Sequence, residues 1–208
     1  MQYSQIGSVQ VSKLIMGSNP FSGFSHQGIE RDNEMRHYFS LANIKRTLFE
    51  AEAVGINTLI ARSDFHVIRM LMEYRDEGGK LQWFAQTCPE VGSHEVSIMR
   101  AAQNQAKAVH LHGGVMDYAF AQGKLDVVQP ALDLIRAHGM LAGIAAHNYR
   151  VIEWARDHLD LDYFMCCYYN PTPRDENAEH VHGAEERYLA EDREKMTALF
   201  PSLRQPVI

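Results

Sequence analysis

The chain has 208 residues, 46% hydrophobic and 22% charged, an ordinary globular composition with enough length for one substantial core. Its formal charge of −6 comes without any stripe of Lys and Arg, which argues against a nucleic-acid partner, and no run of about 18 apolar residues offers a membrane span. The opening residues lack a signal-peptide pattern, and the three cysteines, two of them adjacent in an apolar run, suit a reduced cytoplasmic protein better than a disulfide framework. In chain order, residues 3–6 and 9–11 around Gly7-Ser8 read as a small hairpin. Nearly continuous apolar runs follow at 14–17, 58–62, 82–87, 108–112, 141–147 and 163–169, the pattern of parallel strands covered on both faces. Between them lie helical stretches. Residues 41–54 carry Leu41, Ile44, Leu48 and Ala51 on one face and stop at Gly55. Residues 125–138 carry Leu125, Val128, Leu132 and Ile135 and stop at Gly139, and further helices fit 65–76, 94–106, 149–158 and 184–199.

This β-α alternation predicts an all-parallel α/β fold. No Gly-x-Gly-x-x-Gly follows the first strand, as a dinucleotide-binding doubly wound sheet would need. The first loop, Gly17 to His26, is long and irregular in the manner of active-site loops, and the hairpin fits the bottom of a barrel. The expected architecture is therefore a single (β/α) TIM-type barrel domain over residues 1–208. Arg204-Gln-Pro-Val-Ile208 reads as the opening of a seventh strand, so the barrel is expected to be truncated after about six units. The alternative is an open edge closed by another copy in a homo-oligomer.

Eleven histidines are the unusual figure in the composition. In Val109-His-Leu-His112, alternation along a strand sends Val109 and Leu111 toward the helices and His110 and His112 into the barrel. Two imidazoles so spaced can ligate one metal ion, or His110 is a core histidine and only His112 reaches a site. His147 ends the neighbouring strand above the small residues Gly143 and Ala145, where it can share a cavity with His112 or serve in packing beside the helix start at Asn148. The loop from Asn170 to Gly183 holds a second His-x-His, His180 and His182, and is either a solvated loop or a further source of ligands. A divalent metal (Zn, Mn, Fe or Ni) held by His112, His147, His180 and His182 is one expectation, with Asp64 as a further candidate ligand. Arg62 and Asp64 end the second strand as anion binder and ligand or base, or as a bracing ion pair. Glu90, after Cys88-Pro89, is a candidate proton carrier. Cys88 is a nucleophile only if its thiol is acidified; Cys166 and Cys167 read as mid-strand packing, and Gly113-Gly114 as turn glycines.

Several segments resemble the aldo-keto reductase type of barrel. They are Ile6-Gly-Ser-Val-Gln-Val-Ser-Lys-Leu-Ile-Met-Gly17 at the opening hairpin and first strand, Ala53-Val-Gly-Ile-Asn57, Val109-His-Leu-His112, Gly143-Ile-Ala-Ala-His-Asn148 and Tyr169-Asn170. The resemblance implies a catalytic-site role for His112 and contact with a nicotinamide cofactor, NADP(H), for Asn148 and Asn170. It also marks departures. Ile60-Ala-Arg-Ser-Asp-Phe-His66 holds no counterpart of the family's acid tyrosine, its aspartate falls near Ile60 or Ala61, and its lysine falls near Gln86 or Thr87. A divergent bacterial branch without the usual Tyr, Lys and Asp is implied, so the scaffold carries over and the usual chemistry does not. Three functions are weighed. The first is a barrel enzyme, a metal-assisted lyase, isomerase or hydrolase, acting on a small polar carbonyl- or sugar-like metabolite. The second is an NADP(H)-dependent reductase, and the third a non-catalytic barrel that binds a metabolite or assembles with a partner.

Overall fold

A computed structural model describes residues 1–172, 174, 176 and 187–208. The chain opens with the antiparallel hairpin β1 (Tyr3–Ile6) and β2 (Val9–Ser12). Strands β3 (Met16–Gly17), β4 (Thr58–Arg62), β5 (Gln82–Gln86), β6 (Ala108–Leu111), β7 (Leu141–Ala146) and β8 (Tyr163–Cys166) then pair in chain order. Every pairing in that sheet is parallel, and the sheet is curled, as the sequence pattern predicts. Residues 206–208 run parallel to β8: Phe164 N–H donates to Pro206 O and Ile208 N–H to Phe164 O. This is the expected opening of a further strand.

The helices are α1 (Asn19–Ser22), α2 (Ile29–Tyr38), α3 (Leu41–Ala53), α4 (Phe65–Asp76), α5 (His94–Gln103), α6 (Gly113–Ala121), α7 (Val128–Ala137), α8 (Tyr149–His158) and α9 (Ala190–Leu199). Their starts follow local chemistry. Ser40, Asp64, Ser93 and Asn148 each accept a backbone N–H two or three residues on, the N-cap preference of short polar side chains. On α3 the spacing of Ile44, Leu48 and Ala51 puts all three in the core, and the chain leaves the helix through Gly55 at φ +91°.

Two apolar layers result. Between sheet and helices lie Leu59, Ala61, Trp83, Ala85, Val109, Leu111, Ala142, Ile144 and Phe164 with the inner faces of the helices. Inside the curl, Ile60, Phe84, Ala108 and Tyr163 pack with Ile6 and Val11 from the hairpin. Asn57 and Gln82, at the N-terminal ends of β4 and β5, both donate to Gln10 O. The hairpin therefore closes the bottom of the sheet, as its position in the sequence suggests.

Several elements depart from the sequence reading, among them the run 14–17, which is strand only at Met16–Gly17 with Leu14 exposed. The run 163–169 is strand only to Cys166, so Cys167 stands beyond the last strand residue. Gly113 and Gly114 open α6 rather than a turn. Helix α2 has no apolar stripe: of its residues only Asp32 is buried, accepting from the N–H and hydroxyl of Ser25. Among the described residues no helix is long and apolar enough to cross a membrane.

Candidate functional site

Register explains which side chains meet. Arg62, Gln86, His110, Gly143 and Tyr163 occupy one line of paired positions across the sheet. Side chains alternate, so every second residue of each strand enters the curl. Tyr163 reaches His110 across the intervening Gly143: its hydroxyl lies 3.1 Å from His110 Nδ1. A Cβ at Gly143 would sit 2.6 to 2.9 Å from three atoms of the Tyr163 ring, so the contact requires glycine there. Both side chains are fully buried. Burial pushes the His110 imidazole down to about 3, so it is neutral. His110 is thus a core histidine beneath the site.

One step further toward the C-terminal ends come His112, then His147 and Cys167. His112 caps α6: Val115 N–H donates to its Nδ1 at 3.4 Å, and its own N–H donates to Thr87 Oγ1 at 3.0 Å. An imidazole accepting at Nδ1 carries its proton on Nε2. Burial is the main cause that pushes His112 down to about 3, with the charges of His147, Arg62 and Arg174 adding to it. Thr87 is fully buried and also bonds His94 Nδ1 at 3.2 Å, so the start of α5 braces the start of α6.

His147 is held in the opposite state. Asp117, buried in the second turn of α6, accepts from His147 Nδ1 at 2.7 Å and from the backbone N–H groups of His147 and Asn148. Burial opposes the charge on His147, but Cys167 and Asp117 together outweigh it and push the imidazole up to about 10. Cys167 reaches this position because its N–H continues the β7–β8 ladder, donating to Ala146 O at 3.1 Å. Gly113 makes room: a Cβ there would lie 3.1 Å from His147 Cε1. A neutral and a charged imidazole therefore share one rim.

The remaining candidates are placed as follows. Arg62 Nε donates to Asp64 Oδ2 at 3.0 Å, its other arm pairs with Glu90, and its guanidinium lies 5.2 Å from the centre of the Phe24 ring. Asp64 Oδ1 also accepts the Val67 N–H as the cap of α4. The three form a bracing ion-pair group at the edge of the same rim. Asn148 caps α8 through Arg150 N–H, and Asn170 N–H donates to Asp192. His180 and His182 lie outside the described residues. Among the described residues no group of three or more His, Cys, Asp or Glu is arranged to hold a metal ion; the expected metal set draws two of its four ligands, His180 and His182, from outside them. Cys88 is buried, with its thiol pushed up to about 11 by burial against the pull of Arg62, so it is no acidified nucleophile.

Asp117 and Cys167 escaped the sequence reading. Asp117 sits in a helix hidden behind Gly113-Gly114. Parity with Tyr163 and Met165, both in the inner cluster, is the signal that points Cys167 inward.

Comparison with solved structures fits this architecture. The chain is similar to an aldo-keto reductase from Bacillus halodurans in its holo form, at 15% identity and a TM-score of 0.58, over 80% of this chain and 57% of that one. It is also similar to the aldolase QR15, at 13% identity and a TM-score of 0.52, over 83% of this chain and 74% of that one. The fold is of the parallel (β/α)-barrel type. The chain spans a little over half the length of the reductase. No family model matches it, and no curated protein matches it in sequence. Barrels of this type carry their sites at the C-terminal ends of the strands, where His112, His147 and Cys167 meet.

Proposed function

We propose that this chain belongs to a barrel enzyme that acts on a small polar carbonyl- or sugar-like metabolite. One observation carries the reading: the Nδ1 atoms of His112 and His147 are both committed to protein partners, Val115 N–H and Asp117. Each imidazole is left with an Nε2–H donor for a ligand. His112 offers it from a neutral ring at a helix N-terminus, the state best suited to polarise a carbonyl oxygen without giving up its proton. His147 offers it from a charged ring and supplies a proton as charge develops on that oxygen. Both donors are fixed before substrate arrives, so stabilising the oxygen requires little reorganisation. Arg62 and its two carboxylates frame the rim and shape its polarity.

The test is proton NMR of glyceraldehyde and dihydroxyacetone in deuterated buffer with the purified chain. Interconversion or loss of the carbon-bound proton next to the carbonyl is expected, falling about 100-fold in His112→Ala. Absence of turnover with the unaltered chain, or turnover untouched by His112→Ala, contradicts the reading. A second reading, an NADP(H)-dependent reductase, is favoured by the position of His112 at the end of the fourth sheet strand and by the likeness in fold to a reductase. Fluorescence titration with NADPH separates the two: saturable binding supports the reductase, and none at millimolar cofactor removes it.

A further inference from the structure

The rim described above places a thiol beside a histidine that is itself held by a carboxylate. Cys167 N–H bonds Ala146 O at 3.1 Å, which brings Cys167 level with His147 at the end of the neighbouring strand. Asp117 fixes the His147 ring through Nδ1 at 2.7 Å and fixes its backbone through the N–H groups of His147 and Asn148. Tyr163, Met165 and Cys167 share the inward parity of Gly143, Ala145 and His147 on the neighbouring strand, so the thiol and the imidazole stand side by side inside the curl. Gly113 supplies the space that this placement needs. The order thiol, imidazole, carboxylate is the arrangement that activates a cysteine: the base takes the thiol proton, and the third group orients the base and stabilises its charge.

We propose that Cys167 is a covalent nucleophile toward the carbonyl carbon of a small aldehyde, with His147 as its proton partner and Asp117 as the positioning residue. The substrate class rests on the carbonyl reading given under Proposed function. In the step, the Cys167 sulfur, as thiolate, forms a bond to the carbonyl carbon. The C=O π pair moves onto oxygen, and that oxygen takes the proton from His147 Nε2. The product is a neutral thiohemiacetal, with His147 left neutral and still bonded to Asp117. No group departs and nothing is oxidised; reversal returns the aldehyde. His112, neutral and adjacent, donates to the same oxygen while the bond forms.

The other two cysteines are internal controls. Burial pushes Cys88 up to about 11 and Cys166 up to about 12, Cys166 with a smaller contribution from Cys167. Cys88 Sγ meets Ser63 Oγ and Gln86 O rather than a histidine, and none of the three cysteines is in a disulfide. The charged and titratable groups around the Cys167–His147 pair are Asp117 from α6 and His112 at its cap. Cys166 neighbours the pair on β8, and Arg62 and Arg174 act on His112.

The experiment is alkylation of the folded chain by iodoacetamide at pH 7, with the modified cysteine located by peptide mass spectrometry. The proposal expects Cys167 to react first of the three, about tenfold or more ahead of Cys166. His147→Gln and Asp117→Asn should each slow Cys167 about tenfold, Asp117→Glu should restore part of the rate, and Cys166→Ser should leave it unchanged. A Cys167 in the unaltered chain that reacts no faster than Cys166 overturns the nucleophile, with no need for any variant to fold. The second arm adds glyceraldehyde. Protection of Cys167 supports the adduct, whereas a reactive Cys167 that glyceraldehyde leaves unprotected overturns the carbonyl reading and the adduct with it.

Discussion

Replacing Asp117 by Asn keeps the shape of the side chain and removes the charge that three N–H groups face. Asp117 is nearly fully buried and accepts from His147 Nδ1 at 2.7 Å, from His147 N–H and from Asn148 N–H at 3.1 Å. The rise of His147 from 6.5 to about 10 sets a ceiling of roughly 5 kcal/mol on what its charged form gains in the fold. Cys167 shares that gain, so Asp117→Asn should cost about 2–3 kcal/mol near pH 6.5. The sign of the pH dependence follows from linkage. A histidine whose pKa is raised on folding contributes fully below its unfolded value of 6.5, and the contribution is lost as pH rises toward 10. The gap between the unaltered chain and Asp117→Asn should therefore narrow between pH 6.5 and 10, to about 1 kcal/mol for the backbone bonds that Asn serves less well. Urea unfolding across that range measures it. A gap below about 0.5 kcal/mol, or one that stays constant with pH, refutes the reasoning.

Gly143→Ala should destabilise by about 2–4 kcal/mol, because its Cβ meets the buried Tyr163 ring and displaces the hydroxyl from His110. Tyr163→Phe should cost about 1–2 kcal/mol through the orphaned His110 nitrogen alone, and equal stability of either variant in urea contradicts the packing described. His110 and His112, both pushed down to about 3, contribute stability that is present above 6.5 and lost as pH falls from 6.5 toward 3. At pH 5 each should cost about 2 kcal/mol relative to pH 7, and His147 does not offset this because its contribution is already complete below 6.5. An unchanged urea midpoint at pH 5 argues against neutral buried imidazoles. Cys88 should resist a thiol reagent in the folded chain and react on unfolding; rapid labelling in the native state contradicts its burial.

Much of the fold was legible because parallel strands covered on both faces leave an unambiguous trace of short apolar runs. The bounds of β4 and of the helices α4 and α8 match the sequence reading residue for residue. The inward parity of His110 and His112 also follows from alternation, with Val109 and Leu111 in the helix-facing layer. Alternation alone does not separate the two histidines. Their different roles depend on Tyr163 and Gly143, 53 and 33 residues away in the chain, and on the helix that begins at Gly113. That helix is mostly apolar and opens on two glycines, so no amphipathic stripe announces it. Asp117 was hidden with it. Helix α2 was hidden for the opposite reason, since its polar surface is tied down by Asp32 and by no apolar face. Cys167 looked like packing because the apolar run continues to Tyr169, although strand β8 ends at Cys166 and beyond it only the Cys167 N–H bonds β7, at Ala146 O. Arg62, Asp64 and Glu90 were found by residue type and proximity to strand ends, and their geometry favours the bracing role over free acid–base work.

The central claim is that His147 and His112 stand at one rim in opposite protonation states. Nitrogen-15 NMR of the histidine side chains reads both directly. The account predicts His147 with both ring nitrogens protonated at pH 8, and His112 neutral at pH 5 with its proton on Nε2. Two rings that titrate together near pH 6.5 would contradict it.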